Sequence, residues 1–370
     1  MKRNLKNKKS RKNKSIKTIV AIIFLVTIVL YFYNIYKLNS KEISYSERAL
    51  NIDFETKIKS GNLSTDYEIY KVLDDINSMK LNTVNIPVVI NIENIESSVM
   101  EIDENSLNKA ITLIEELEGR NISIILEAYP WISDGSEYET KWMPNNIDEF
   151  FYNWKYNVLG TLVEKVCNNY QIDAVNIASN LVMLEEYEDR WIDIIEFIRG
   201  KYEGLITYRT NWWYAYKGSE SEEEFYKKIN NKIFGSVDFI SVAAYFELTD
   251  KMYAKEEDII NALESSTYYN RGQNIKEELL ELHERWDKPI FFGELGFPKR
   301  LGASIEPHNA YISKIPSNKQ QANCFSAYNK VFKNEDAILG FSVFAIGNDS
   351  YEKAYYPCRK SKKIIRNWYN

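Results

Sequence analysis

The segment Lys288-Pro-Ile-Phe-Phe-Gly-Glu-Leu-Gly-Phe-Pro298 places one carboxylate, Glu294, where an apolar run of β type breaks into a Gly/Pro turn. A buried strand has no structural use for a charge at its carboxyl end, and burying one unpaired is costly. The position therefore suits a nucleophile at the mouth of a parallel barrel, or else a Glu held in a loop salt bridge. The chain has only two histidines, His283 and His308, both in polar sequence without partners at ligand spacing, which argues against imidazole triads and histidine metal sites. Cys167, Cys324 and Cys358 are odd in number and widely separated, so they encode neither a disulfide framework nor a zinc cluster. Chemistry must then rest on carboxylates, amides and hydroxyls, with no metal and no organic cofactor implied.

Such groups need a scaffold. Apolar or β-branched runs, each followed by a stretch of helical period, recur about every 30 to 50 residues, an alternation that predicts parallel strands with helical crossovers. The strands expected are Leu50 to Phe54, Thr83 to Ile90, Ile122 to Ala128, Ala174 to Ser179, Leu205 to Arg209, Phe239 to Tyr245, Ile290 to Gly293 and Ile338 to Phe344. Eight is the number that closes an α/β barrel of the (β/α)8 TIM type. Between them, Thr65-Asp66-Tyr67-Glu68 reads as a capping box ahead of Ile69, Val72, Leu73, Ile76 and Met79. Leu107, Ala110, Ile111, Ile114 and Leu117 form a second stripe, ended by Gly119; Phe151, Trp154, Val158, Leu162 and Val166 a third; Trp191, Ile194, Ile195 and Ile198 a fourth. Ile364, Ile365 and Trp368 close the chain on a last one. These stripes are read as packing against the barrel.

A barrel of this kind builds its site from residues at the carboxyl ends of its strands. Here these are Ser60, Gly61 and Asn62 after the first, then Glu127, Tyr129 and Trp131 after the third, with Trp142 in the long loop beyond. Asn180 follows the fourth; Arg209, Asn211, Trp212 and Trp213 the fifth; Tyr245, Phe246 and Glu247 the sixth; Glu294 the seventh. Flat aromatic faces beside amides and carboxylates suit a sugar, whose C–H faces stack while its hydroxyls hydrogen-bond. The expected sugar-binding set is Glu127, Trp131, Trp142, Arg209, Asn211, Trp212 and Tyr245, although any single Trp is as readily a core residue. Adjacent Trp212 and Trp213 cannot both face inward, so at most one of them lines a cleft.

Length and charge bound the rest. Of 370 residues, 45% are hydrophobic and 14% aromatic, enough for one large core. Residues 1–17 carry nine Lys or Arg and no acid, and the nineteen uncharged residues Thr18 to Tyr36 reach about the 30 Å of a bilayer's hydrocarbon core. A basic tail (1–17), an uncleaved transmembrane helix (18–36), a linker (37–48) and a barrel domain (49–370) are therefore expected. The tail is cytoplasmic and the barrel extracellular, and no small-x-small cleavage site follows the apolar run. Beyond the tail stand 38 basic against 53 acidic residues, a net of about −15 that repels nucleic acid and anionic lipid. The expected partners are the membrane, through that one helix, and a polysaccharide or cell-envelope glycan, bound by a monomer.

Four segments, in order, resemble glycoside hydrolase family 113, the barrel β-mannanases of the large retaining-glycosidase clan. They are Trp191-Ile-Asp-Ile-Ile-Glu-Phe-Ile-Arg199, Tyr202-Glu-Gly-Leu-Ile-Thr-Tyr208 with Asn211-Trp212, Val237-Asp-Phe-Ile-Ser-Val-Ala-Ala-Tyr245-Phe246, and Pro289 to Pro298. The resemblance runs from about Asn51 to Tyr369. It implies a TIM barrel whose acid/base follows the fourth strand and whose nucleophile, here Glu294, follows the seventh. The chain departs from the family at Ala178-Ser179-Asn180-Leu181, where members read like Gly-Thr-Glu-Leu: Asn180 stands at the acid/base position. An amide cannot protonate a leaving group, and a positioned acid is worth about 10²- to 10⁴-fold in rate. A displaced acid would have to come from Glu247, the best placed by strand alternation, from Glu127, or from Glu185 or Glu186. Otherwise Glu127 and Glu247 pair with Arg209 or bind sugar hydroxyls, and Glu185 and Glu186 are solvated charges at a helix start. A second departure is Phe344, where these glycosidases often present a Trp platform.

Two functions fit. One is a membrane-anchored retaining glycosidase acting on a β-linked polysaccharide through Glu294. The other is a carbohydrate-binding pseudoenzyme in which Asn180 and Glu294 serve only as hydrogen-bonding groups.

Overall fold

The computed structural model describes residues 56–369. The basic tail, the transmembrane segment, the linker and the strand expected at Leu50 to Phe54 lie outside the described residues; within them no helix is long and apolar enough to cross a membrane. The first barrel strand is instead β1, Ile58–Leu63, so that Ser60, Gly61 and Asn62 belong to the strand and not to a loop after it. It is followed by β2 (Thr83–Ile92), β3 (Met100–Ile102), β4 (Ser123–Ile132), β5 (Ala174–Ser179), β6 (Leu205–Asn211), β7 (Phe239–Ala243), β8 (Ile290–Leu295) and β9 (Ile338–Ile346). All neighbours pair in parallel except the short β3, which runs antiparallel along the outer end of β2. β1 pairs with both β9 and β2, and this closes the eight parallel strands into a (β/α)8 barrel. Because β3 stands outside the ring, β5 and β8 are its fourth and seventh staves.

The strands form where Val, Ile and Phe are densest, since parallel strands covered by helices must be apolar on the outer face. In β6 the alternation is visible residue by residue. Tyr208 packs its ring against Trp191 of the helix layer (5.4 Å) and Thr210 bonds outward to Glu185, while Thr207, Arg209 and Asn211 share the inner face. The helices bury the expected stripes: Val72, Ile76 and Met79; Leu107, Ala110, Ile114 and Leu117; Trp191, Ile194, Ile195 and Ile198. The helix over Ile69–Met79 starts from Glu68 without any side-chain cap, so Thr65 to Glu68 is not a capping box. The helix over Glu104–Leu117 is capped by Asp103, whose carboxylate accepts from Ser106 N.

Trp142, expected in the sugar cleft, is a core residue. It is fully buried, donates its indole N–H to Ser97 O at 2.9 Å, and packs edge-on against Phe150 (4.9 Å) and Trp154 (5.9 Å). Its indole is turned toward the helix that begins at Ile147–Tyr152 and not toward the barrel mouth.

Candidate active site

Strict alternation in β8 would turn Glu294 away from the barrel. Phe292 faces the helix layer, packing on Tyr328 (5.8 Å) and Phe332 (5.1 Å), and Glu294 has its parity. The register shows why it faces inward: Ser241 pairs with Phe291 but Ala243 pairs with Glu294, so β8 spends three residues where β7 spends two. That bulge re-aims the side chain, and it falls on Gly293. A Cβ there would lie 1.9 Å from Ser241 Oγ and 2.7 Å from Arg209 Nε, so only glycine lets the guanidinium cross the strand. β5 does the same: Asn176 pairs with Thr207 but Ser179 with Arg209, and the extra residue brings Ser179 inward.

Arg209 is the centre of the arrangement. Buried on the inner face of β6, it grips Glu127 with both terminal nitrogens (2.6 and 2.7 Å), reaches Glu294 Oε1 at 2.9 Å, and touches Ser179 Oγ at 3.2 Å. Burial opposes its charge, but Glu127 and Glu294 outweigh that and hold the guanidinium above its ordinary pKa. Both terminal nitrogens are engaged by carboxylates, while Nε is buried without a partner among the described residues, so the guanidinium positions the two acids. Glu127 is likewise held, accepting a third bond from Ser179 Oγ at 2.8 Å. Asn62 completes the floor, donating to Gly293 O at 2.6 Å.

Asn180 occupies the turn after β5 in the left-handed region (φ 55°), which Asn tolerates better than most residues. Its amide nitrogen donates to Glu294 Oε1 at 3.2 Å and to Glu139 Oε1 at 3.3 Å. Its own Oδ1 is buried with no partner among the described residues. Tyr245 adds a hydroxyl bond to Glu294; burial, then that carboxylate, push the phenol well above its ordinary pKa.

Glu139 belongs to a short turn, Glu139–Lys141, in the loop after β4; the turn packs against Val182–Leu184, just beyond Asn180. Loss of solvent and the charge of Glu294 raise its carboxyl to about 7, against the opposing pull of the Asn180 amide and Arg209. Tyr129, at the end of β4, is pushed upward by burial and by the nearby Glu139, Glu294 and Glu127. Neither Glu139 nor its role carries a local sequence signal. The long loop after the third barrel strand was the only hint, since loops on that face build active sites.

The other expected residues divide. Trp212 is partly exposed, stacked on His308 (5.0 Å, 22°) and edge-on to Tyr245 (5.6 Å), whereas Trp213 is buried and bonded to Glu278. Trp131 and Asn211 are partly exposed at the ends of β4 and β6. Phe344 packs edge-on with Tyr355 (5.5 Å) and Tyr245 (6.1 Å), an aromatic wall beside Glu294. Glu247 does not join the site: it is bound by Arg271 at 2.5 Å and Tyr214 Oη at 2.7 Å, because the chain leaves β7 at Ala243 and the alternation that would have aimed it inward stops there. Glu185 is not a solvated charge but is buried between Lys228 (2.8 Å) and Thr210 (2.7 Å), and Glu186 is exposed.

A closed (β/α)8 barrel with a cluster of carboxylates and aromatics at the carboxyl ends of its strands is the architecture of the barrel glycosidases. The model of Glycoside Hydrolase Family 113 matches residues 52–361, and the chain belongs to that family. Among solved structures, a GH113 β-1,4-mannanase superposes with a TM-score of 0.65 at 17% identity, covering 85% of this chain and 98% of that one. The GH113 β-mannanase from Alicyclobacillus acidocaldarius gives 0.64 at 15% identity, covering 85% and 98%. Fungal β-1,4-galactanases share the fold more distantly, at 0.53 and 10% identity, covering 84% and 100%. No curated protein matches the chain.

Proposed function

We propose that this protein is a membrane-anchored retaining β-glycoside hydrolase that cleaves a β-mannan-like polysaccharide outside the cell, with Glu294 as nucleophile. One observation carries the reading: a strand bulge turns Glu294 into the barrel mouth, where Arg209, Asn180 and Tyr245 orient it. In a retaining mechanism such a carboxylate attacks the anomeric carbon and forms a glycosyl-enzyme that water then opens. The wall of Tyr245, Phe344 and Tyr355, with Trp212 beside it, supplies faces for sugar rings. Nineteen uncharged residues after nine cations support the anchor, with the barrel on the outer side.

The test is turnover of dinitrophenyl β-mannoside, whose leaving group departs without a proton. Wild-type protein releases dinitrophenol and Glu294→Gln, folded by circular dichroism, does not; inertness of the wild type toward the β-mannoside, β-glucoside and β-galactoside alike would overturn the reading. Protease accessibility of the barrel on intact cells tests the topology.

Asn180 favours a second reading, a glycan-binding pseudoenzyme. Its amide bridges two carboxylates, and its free Oδ1 can accept from a sugar hydroxyl. Calorimetric binding of mannohexaose without hydrolysis, together with hydrolysis gained in Asn180→Glu, would select it.

A further inference from the structure

We propose that Glu139, reaching across the barrel mouth from the loop after β4, is the proton donor that replaces the missing carboxyl at position 180. The inference rests on the retaining reading of Glu294. Three geometric facts support it. First, Glu139 and Glu294 accept hydrogen bonds from one and the same atom, Asn180 Nδ2, at 3.3 and 3.2 Å. Their accepting oxygens are therefore no more than about 6.5 Å apart, within reach of the roughly 5 to 5.5 Å at which retaining carboxyls work. Second, the other carboxylates near the strand ends are committed. Glu127 is clamped by Arg209, Glu185 by Lys228 and Glu247 by Arg271, whereas Glu139 has no ion pair among the described residues. Third, Asn180, at the end of the fourth barrel strand where the family resemblance puts the acid, turns its nitrogen toward Glu139, so the residue that stands in for one carboxyl also supplies the donor that docks another.

The groups facing Glu139 set its titration. Glu294 from β8 disfavours its charge and Tyr129 from β4 lies beside it, while Arg209 from β6 and the Asn180 amide act in the opposite sense. Burial and the Glu294 charge prevail, and the carboxyl titrates at about 7. Below that pH it carries the proton an acid needs.

The reaction then balances. Glu294 Oε forms a bond to the anomeric carbon as the glycosidic C–O bond breaks. The electron pair leaves with the aglycone oxygen, which takes the Glu139 proton. In the second half water attacks the anomeric carbon and gives its proton to the Glu139 carboxylate, and the bond to Glu294 breaks, returning both residues to their starting state.

The experiment compares wild type, Glu139→Gln and Glu139→Gln/Asn180→Glu, all full-length, on mannohexaose and on dinitrophenyl β-mannoside. For Glu139→Gln we expect hydrolysis of mannohexaose to fall by about 10²- to 10⁴-fold. The burst of dinitrophenol should stay within a few-fold of wild type, and added azide should speed turnover by trapping a β-mannosyl azide. The double variant should recover part of the loss. In wild type, kcat/KM for mannohexaose should decline as pH rises through about 7, and that limb should vanish in Glu139→Gln. Wild-type rates on mannohexaose in Glu139→Gln, or an unchanged alkaline limb, would overturn this assignment while leaving Glu294 intact. A wild type inert toward the dinitrophenyl substrate would remove both.

Discussion

Two carboxyls in this barrel are pushed up to about 7, the half-buried Glu139 at the mouth and the buried Glu278 in the helix layer, and loss of solvent is the leading cause for each. Their surroundings differ. Glu278 Oε2 receives Trp213 Nε1 at 2.9 Å and Gln273 Nε2 at 3.0 Å, and the acid that acts on it is Glu281 on its own helix. It is a capped polar group closing the gap between Trp213 and the helix over Ile275–Trp286. Glu139 shares its amide partner, Asn180, with a second carboxylate, Glu294. An elevated carboxyl alone therefore does not mark a catalytic group; what separates the two is the facing acid, joined to Glu139 through a shared amide.

The comparison can be broken most severely at Glu294. Glu294→Gln should abolish turnover of both mannohexaose and the activated glycoside, a loss exceeding the roughly 10²- to 10⁴-fold expected of a missing proton donor, as measured by sugar and dinitrophenol release. Next comes Arg209→Met, which leaves Glu127 and Glu294 buried against one another without a cation. A cost of about 3–5 kcal/mol should appear in denaturant unfolding. Trp142→Ala should cost a similar amount, about 3–5 kcal/mol, through the cavity it leaves. Trp212→Ala, at the open side of Tyr245, should scarcely move the unfolding midpoint but raise KM for mannohexaose, and the opposite result would exchange their roles.

The smallest effect tests the two carboxyls directly. A raised folded pKa means stability that is complete below the ordinary carboxylate value and lost as pH rises through about 7. Both Glu278→Gln and Glu139→Gln should then remove part of the decline in Tm across that window, by roughly 2–4 °C per kcal/mol recovered. Only Glu139→Gln should alter the pH profile of kcat/KM; a shift of that profile by Glu278→Gln would erase the distinction drawn between them.

Most of the barrel was legible in the sequence because parallel strands leave dense Val/Ile/Phe runs and crossover helices leave apolar stripes, both local signals. Ala174–Ser179 and the stripe Trp191, Ile194, Ile195 and Ile198 stand where periodicity places them. The first strand was misplaced to Leu50 to Phe54 because Ile58–Leu63, IKSGNL, is half polar: its Ser60 and Asn62 face a hydrogen-bonded interior that periodicity cannot see. Trp142 and Glu247 were drawn toward the cleft by residue type and parity, but a tight loop and an early strand end send them elsewhere.

By itself the sequence determined the barrel, the carboxylate at the end of its seventh stave and the amide at the end of its fourth, since each is a matter of residue type at a strand boundary. Tertiary structure decided where those groups point and which acid joins them. The bulges at Gly293 and before Ser179 reverse the face of the residues that follow, and a shift of register exists only between paired strands. Glu139 meets Glu294 across 155 positions of chain through one amide, a proximity that the packing of the loop after β4 onto the turn after β5 alone creates.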